Sequence, residues 1–234
     1  SEFGEYSYRI EVQNQEDEII TRVDTFLCTT GSMNHGFVRV SETNPYYFEY
    51  DDGTPFFSNG NCKWYDQMHE KQCNFESFYT EFGRAGGNMT RNFVSRIGEL
   101  VDPPVPRPDR GFGKMDLERS WSLDKAFELC EKVGISHQLA LSNGTYFLPG
   151  QHRVKKEQLV YNAHHGGPFE DVTAKEYLTH PEARQNFKNV LRYFIARWGY
   201  STAVFSWNLW NEVNLIPEFH ALFDETRAWH LEMA

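Results

Sequence analysis

From Tyr46 onward, short apolar runs alternate with amphipathic helical patterns, and this alternation constrains the fold more than any other feature of the chain. The runs that we predict to be strands are Pro55 to Gly60, Met89 to Val94, Ile135 to Leu141 and Ala203 to Trp210. Successive strand and helix units of this kind are typical of a parallel sheet whose helices lie outside it. The sequence therefore predicts an α/β fold with four βα units.

Helix start and stop signals fall between the predicted strands. Ser122 is predicted to cap the second helix, and Gly134 to end it. Thr179 and Glu182 form a predicted capping box for the third helix, and Gly199 is its predicted end. The first and last helices are predicted at Phe75 to Phe82 and Pro217 to Glu232.

The first forty residues have a different pattern. Three runs rich in β-branched and aromatic residues are separated by polar turns: Tyr6 to Val12, Ile19 to Thr29 and Gly36 to Val40. We expect them to form one small antiparallel sheet. Because three strands make a poor independent domain, we interpret residues 1–41 as the tail of an N-terminal β-sandwich and residues 42–234 as part of a barrel.

Composition narrows the class of partner. The formal net charge of -10, with no basic run, argues against nucleic acid or an anionic membrane. Aromatic residues make up 16% of the chain, which favours ligands that stack on rings, such as sugars. No stretch is long and apolar enough to span a membrane, and the first residues contain no apolar signal-peptide core.

Neither a metal nor a cofactor is predicted. The cysteines lack CxxC spacing, so a zinc site is not expected, and buried thiols are favoured over a Cys62–Cys73 disulfide. His35 and the pair His164-His165 have no third ligand at a suitable spacing. For the pair we favour a loop contact to substrate over a metal site, and a solvated histidine remains the simpler alternative.

Polar residues gather where the predicted strands end. In such folds, catalytic groups lie at the carboxyl ends of the strands. The candidates on successive strands are Asn61 and Trp64, then Arg91, then Ser142 and Asn143, then Asn211 and Glu212. The long segment Gly144 to Leu178 then covers the same predicted edge and carries Asn162 and His165; loops of this length tend to be functional.

The Asn211-Glu212 pair carries the chemical hypothesis. A carboxyl group at the end of a strand can act as a general acid if its surroundings favour the protonated form. We expect Trp207 and Trp210 to supply those apolar surroundings, with Trp207 also near substrate. The alternative is that Glu212 only begins the next helix, as a favourable anion at its N-terminus.

Several stretches resemble clan-A glycoside hydrolases, the family-5-like (β/α)8 barrels, in particular bacterial members that carry a small β-sandwich before the barrel. The matching stretches are Gly36 to Ser41, Tyr47 to Phe57, Gly87 to Arg91, Gly166 to Pro168, Arg192 to Tyr200 and Leu209 to Val213. The resemblance implies a (β/α)8 barrel of the TIM type, of which this chain contains only the first four βα units.

The resemblance also implies roles for individual residues. Glu212 takes the place of the acid/base of a retaining mechanism, Asn211 would contact the sugar 2-hydroxyl, and Arg91 would support the nucleophile. The implied substrates are oligo- or polysaccharides such as β-glucans, β-mannans or β-galactosides. A secreted or periplasmic bacterial location is implied as well.

The resemblance lacks one element. A retaining glycosidase needs a second carboxylate roughly 5 Å from the acid/base, and the family places that nucleophile on strand seven. Thr80 to Gly83 resembles a nucleophile motif, but it lies on a helical pattern. We therefore expect a second polypeptide or self-association to complete the barrel. The competing hypothesis is a non-catalytic carbohydrate-binding or assembly module derived from a glycosidase.

Overall fold

The computed structural model describes residues 3–29, 34–62, 75–101, 106–147 and 156–234. The chain divides into two compact units, Ser1–His35 and Gly36–Ala234. No helix in the described ranges is long and apolar enough to cross a membrane.

The first unit is an antiparallel hairpin. Strands β1 (Gly4–Gln13) and β2 (Ile19–Cys28) pair along their whole length, from Gly4 opposite Cys28 to Gln13 opposite Ile19. The turn is held by the Asn14 side chain, whose Oδ1 accepts hydrogen bonds from the backbone N–H groups of Glu16 and Glu18. Both strands agree with the sequence prediction.

The third predicted strand belongs to another sheet. Strand β3 (Val38–Val40) pairs with β4 (Phe48–Tyr50), and β4 pairs with β5 (Pro55–Phe56), all antiparallel. The expectation of one sheet from the first three runs was therefore wrong. The Asp51 carboxylate, just after β4, accepts hydrogen bonds from the Phe37 backbone N–H and from the Arg39 side chain. These contacts hold the start of β3 against the end of β4. The division between the two compact units falls after His35. The predicted domains, the tail of a β-sandwich over residues 1–41 and part of a barrel over residues 42–234, stay a prediction.

The second unit contains the parallel sheet that the sequence predicts. Its strands are β6 (Gly60–Cys62), β7 (Met89–Phe93), β8 (Ser136–Asn143) and β9 (Val204–Asn211), and they lie in that order. All adjacent pairs are parallel. The predicted strand from Pro55 to Gly60 was wrong, because its start pairs with β4 in the antiparallel sheet and only its last residue enters the parallel one.

Helices follow the strands of this sheet. Their bounds are α1 (Phe75–Arg84), α2 (Leu117–Val133), α3 (Ala174–Thr179), α4 (Pro181–Trp198), α5 (Pro217–Ala221) and α6 (Phe223–Met233). The predicted single helix from Pro217 to Glu232 is two helices, since the backbone leaves helical geometry at Leu222 (φ −107°, ψ 43°).

The predicted C-caps are correct, and the predicted N-caps are not. Gly134 ends α2 in the left-handed region (φ 72°). Asp116, however, caps α2 by accepting from the Arg119 backbone N–H, and Ser122 lies inside the helix. Aspartate and serine are both favourable N-cap residues, and the charged carboxylate of Asp116 is stabilised in addition by the helix dipole.

The capping box occurs one motif earlier than predicted. Thr173 and Glu176 cap α3 reciprocally, whereas Thr179 is the last residue of that helix. Pro181 then begins α4 without a side-chain cap, and Gly199 ends α4 as predicted. Both Thr-x-x-Glu motifs are present in the sequence, and the proline selects the start of the second helix by its fixed φ.

The two faces of the parallel sheet differ in character. Leu139 and Trp207 are in register, so they share a face, and the Trp207 ring packs edge-on against Phe194 of α4. Gln138 is in register with Ser206 on the opposite face, where their side chains hydrogen-bond. At these two rungs the helix-covered face is therefore apolar and the opposite face is polar.

In the described part of the chain, β6 and β9 are the edges of the parallel sheet. A closed (β/α)8 barrel has eight such strands and no edge. The second unit therefore has the architecture of part of a barrel.

Candidate active site at the carboxyl edge of the sheet

Arg91, Asn143 and Asn211 meet at the carboxyl edge of the parallel sheet. Arg91 lies in β7, and the two asparagines are the last residues of β8 and β9. Asn143 and Asn211 are in register, which brings their amides to the same rung. The predicted clustering of Arg91, Asn143 and Asn211 is thus present in the fold.

The amide of Asn211 is held at both ends. Its Oδ1 accepts a hydrogen bond from the Arg91 guanidinium, and its Nδ2 donates to Oδ1 of Asn143 at 3.3 Å. Both asparagines are nearly completely buried, so these bonds are shielded from competing water. Arg91 also lies over the Phe93 ring, 5.4 Å from its centroid. The contacts fix the orientation of the Asn211 amide.

Glu212, the residue after Asn211, has an unusual backbone conformation. Its φ of 56° and ψ of 33° lie in the left-handed region, which glutamate rarely occupies. Its carbonyl accepts from the Leu215 N–H as a short 3-10 turn begins. The side chain is exposed, and no described residue hydrogen-bonds or ion-pairs with its carboxylate. Left-handed residues outside glycine cluster at functional sites.

The predicted apolar shelter for Glu212 was wrong. Trp210 is buried in the core, where its ring contacts Tyr177, Phe219 and Trp229. Trp207 packs against α4, on the helix-covered face. Because side chains alternate along a strand, the two tryptophans lie in different surroundings, and their ring contacts are with core and helix residues. A contact of Trp207 with substrate stays a prediction.

The remaining strand-end candidates lie at the first strand. Asn61 is inside β6 rather than after it, and its Oδ1 accepts a hydrogen bond from the Thr90 hydroxyl of β7 at 3.2 Å. Trp64 lies outside the described residues. The contact of Asn61 or Trp64 with substrate stays a prediction.

The two loop candidates hold the loop together. Asn162 is buried; its Oδ1 accepts from the His164 N–H, and its Nδ2 donates to the Glu170 carbonyl. His165 is also buried, with Nε2 2.7 Å from the Glu157 carbonyl oxygen. These bonds give both side chains a place within the loop, and their predicted contact with substrate stays untested.

A buried carboxyl group that sequence reasoning missed lies behind the site. Glu99 is fully buried, and its Oε1 accepts hydrogen bonds from the hydroxyls of Tyr161 at 2.7 Å and Tyr177 at 3.0 Å. Burial raises the pKa of Glu99 to about 7. The sequence does contain a signal, because Glu99 is an isolated acid in the apolar segment Ile97 to Val101.

Within the part of the chain that the structure describes, no group of three or more histidine, cysteine or acidic residues could hold a metal ion. Cys28 and Cys130 are free thiols. Cys73 lies outside the residues that the structure describes, so the choice between buried thiols and a Cys62–Cys73 disulfide stays a prediction.

Comparison with solved structures identifies the fold. A putative glycoside hydrolase from Bacteroides vulgatus matches 92% of this chain at 19% identity, with a TM-score of 0.58 and 39% of its own length covered. An exo-β-1,4-mannosidase from an Opitutaceae bacterium matches 80% of this chain at 17% identity and a TM-score of 0.57, with 30% of its length covered. A family 5 mannosidase from Rhizomucor miehei matches 87% at 18% identity and a TM-score of 0.55, with 55% of its length covered.

No family model matches the chain, and no curated protein does. At these identities, the likeness establishes the fold. The chain spans about a third to a half of the length of the structures that it matches. This protein therefore has the fold of the clan-A, family-5-like glycoside hydrolases over part of their (β/α)8 barrel.

Proposed function

We propose that this chain forms the acid/base side of the active site of a retaining β-glycosidase. One observation carries the proposal: Glu212, exposed and in a left-handed conformation, directly follows Asn211, whose amide is fixed by Arg91 and Asn143. The fold shared with several glycoside hydrolases supports the same class of reaction.

Glu212 acts twice in this proposal. In the first step it gives its proton to the glycosidic oxygen as the bond to the sugar breaks, and in the second it takes a proton from the attacking water. An exposed carboxyl group without a hydrogen-bond partner among the described residues suits this task, since substrate can reach it and nothing there holds its oxygens.

Asn211 orients the sugar. Its amide nitrogen carries two N–H groups, of which one donates to Asn143. The other is available to donate to the 2-hydroxyl oxygen of the sugar bound at the reacting position. Arg91 fixes the amide so that its nitrogen, rather than its oxygen, points to that position.

The nucleophile comes from a polypeptide segment that continues the sheet beyond β9. Two features favour this edge. The outer side of β9 lacks a paired strand among the described residues. An apolar groove of about 260 Å³ lies beside it, lined in part by Trp207, Leu209 and Met233, and a further strand and helix would cover these side chains. The completing segment then supplies the second carboxylate at roughly 5 Å.

Among the implied substrates, β-mannosides are the first choice. Two of the solved structures with this fold are mannosidases by name, which favours mannose over glucose or galactose as the sugar bound next to Asn211. The competing function is a non-catalytic carbohydrate-binding module. It uses the same hydrogen-bonded pair, Asn143 and Asn211 (the asparagine row), without the second carboxylate.

The test uses the tagged chain, purified from its source together with any polypeptide that associates with it. Intact-mass measurement identifies each chain in the preparation. Hydrolysis of mannobiose and of dinitrophenyl β-mannoside is compared between the wild type and Glu212→Ala. We expect mannobiose turnover to fall by about 10²–10⁴-fold. Formation of the intermediate from the aryl glycoside should change much less, because its leaving group needs no proton.

Glu218→Ala is the matched control, since Glu218 is an exposed glutamate at the start of α5. It should leave both rates unchanged. An equal loss on both substrates in Glu212→Ala would refute the acid/base role. Binding of mannobiose without hydrolysis would favour the binding module, whether or not the particle contains a second chain.

A further inference from the structure

Glu99 lies at the centre of a buried hydrogen-bonded cluster that joins three parts of the fold. It follows the short 3-10 turn after β7, whereas Tyr161 belongs to the loop after β8 and Tyr177 to α3. Both hydroxyls donate to Oε1 of Glu99, and the Glu99 carbonyl accepts from the Val160 N–H at 3.0 Å. One residue thus fixes the loop and α3 to the strand end.

The cluster contacts the ends of β8 and β9 directly. The Tyr177 hydroxyl lies 3.5 Å from Oγ of Ser142, and its ring packs 4.8 Å from the Trp210 ring. Ser142 and Trp210 are in register, one position before Asn143 and Asn211. A displacement of Tyr177 would therefore move the rung that carries the asparagine row.

The second carboxyl oxygen of Glu99 is the least satisfied polar atom of this cluster. Oε2 is buried and makes no hydrogen bond among the described residues. An ionised carboxylate left in this state would be costly, whereas a neutral acid is tolerated. Only hydroxyl groups, those of Ser142, Tyr161 and Tyr177, favour a negative charge on Glu99 among the described residues, and no basic side chain does.

We propose that Glu99 is a positioning residue for the Asn143–Asn211 row, acting through Tyr177, so that a change in the charge of Glu99 shifts the two asparagine amides together. This inference rests on the proposed function only in one respect, the identity of the ligand that the asparagine row binds. The coupling itself is a property of the chain and can be measured without sugar.

The groups that face Glu99 are few. The loop contributes Tyr161, α3 contributes Tyr177 and β8 contributes Ser142, while Asn186 of α4 lies beside Tyr161. Burial and the neighbouring Glu99 raise the pKa of both tyrosines well above the ordinary value. Between about pH 5 and 9, Glu99 is therefore the group of this cluster that changes charge.

The experiment follows the side-chain amide resonances of Asn143 and Asn211 by ¹⁵N NMR in the full chain between about pH 5 and 9. We expect both amides to shift together with one midpoint near neutral pH. Glu99→Gln should abolish the transition and keep the low-pH positions, because glutamine is neutral at every pH. Glu182→Gln, at an exposed glutamate of α4, should leave the transition unchanged.

Tyr177→Phe provides a second test that does not depend on the folding of the Glu99 variant. It keeps the ring against Trp210 and removes one donor to the carboxylate, so it should raise the midpoint above that of the wild type. A transition that persists in Glu99→Gln, or a midpoint unchanged in Tyr177→Phe, would overturn the proposal. So would amide resonances that stay fixed while the Glu99 carboxyl carbon titrates.

Mannobiose titration separates this inference from the proposed function. Amides that follow Glu99 but do not respond to mannobiose would support the coupling and count against the sugar site. Amides that respond to mannobiose but not to the ionisation of Glu99 would support the sugar site and contradict the coupling.

Discussion

Asn211 and Asn143 are hydrogen-bonded across the last rung of β8 and β9, with Nδ2 of Asn211 3.3 Å from Oδ1 of Asn143. Because Asn143 takes one amide proton and Arg91 donates to the amide oxygen, only one orientation of the Asn211 side chain satisfies both contacts. The residue after this fixed amide is Glu212. Two strand ends therefore position the acid proposed to act on substrate.

Removing the arginine should free that amide. Arg91→Met keeps much of the length of the side chain and deletes the donor, and a lost hydrogen bond to a charged group costs about 1.5–3 kcal/mol. We expect a lower free energy of unfolding in urea and at least about a tenfold loss of mannobiose affinity or turnover. Arg192→Met, at an exposed arginine of α4, should change stability by less than about 0.5 kcal/mol. Equal effects of the two variants would contradict the role of Arg91.

The left-handed conformation at Glu212 predicts an inverted response to glycine. A residue with a Cβ pays roughly 1–2 kcal/mol in this region and glycine does not. Glu212→Gly should therefore be more stable than Glu212→Ala by about 1 kcal/mol, measured by urea unfolding. At Glu128, inside α2, the glycine variant should instead be less stable than the alanine variant by about 1 kcal/mol. The same sign at both positions would show that Glu212 is not strained.

Glu99 predicts how stability depends on pH. Its pKa is about 7 in the folded chain, against an ordinary value of 4.5. Between these values the folded state keeps a proton that the unfolded state has lost, so the contribution of Glu99 to stability is greatest below pH 4.5 and is lost as pH rises through 7. The loss is on the order of 3 kcal/mol.

Glu99→Gln should flatten this dependence, since it removes the titrating group, and Glu182→Gln should not. Urea unfolding of the three proteins across this pH range makes the comparison. A wild-type stability that rises from pH 5 to 7, after correction with the Glu99 variant, would show that the buried acid is ionised in the folded state.

Strand order was predictable here because it depends on short apolar runs, and β7, β8 and β9 are each bounded by glycine, proline or polar residues. The Asn211-Glu212 pair was predictable for the same reason, since it ends such a run. The start of α2 was not, because Asp116 and Ser122 are both good N-cap residues and the local sequence does not show which of them begins the helix.

The surroundings of the site were the least predictable part. The direction of a side chain at the end of a strand depends on which helices pack there, so the sequence could not indicate that Trp210 joins the core and Trp207 faces α4. Glu99 and Tyr177 are 78 residues apart, and no local pattern joins them. Their contact is a product of the loop folding back on the sheet.

The product formed by Glu212→Ala with added azide tests the central claim most directly. In the assembled enzyme with dinitrophenyl β-mannoside, azide can enter the space left by the carboxylate and attack the glycosyl-enzyme without base catalysis. If Glu212 is the acid/base, azide should restore turnover and the product should be β-mannosyl azide, with retained configuration. An α-mannosyl azide would make Glu212 the nucleophile, and an absence of rescue would contradict the acid/base assignment.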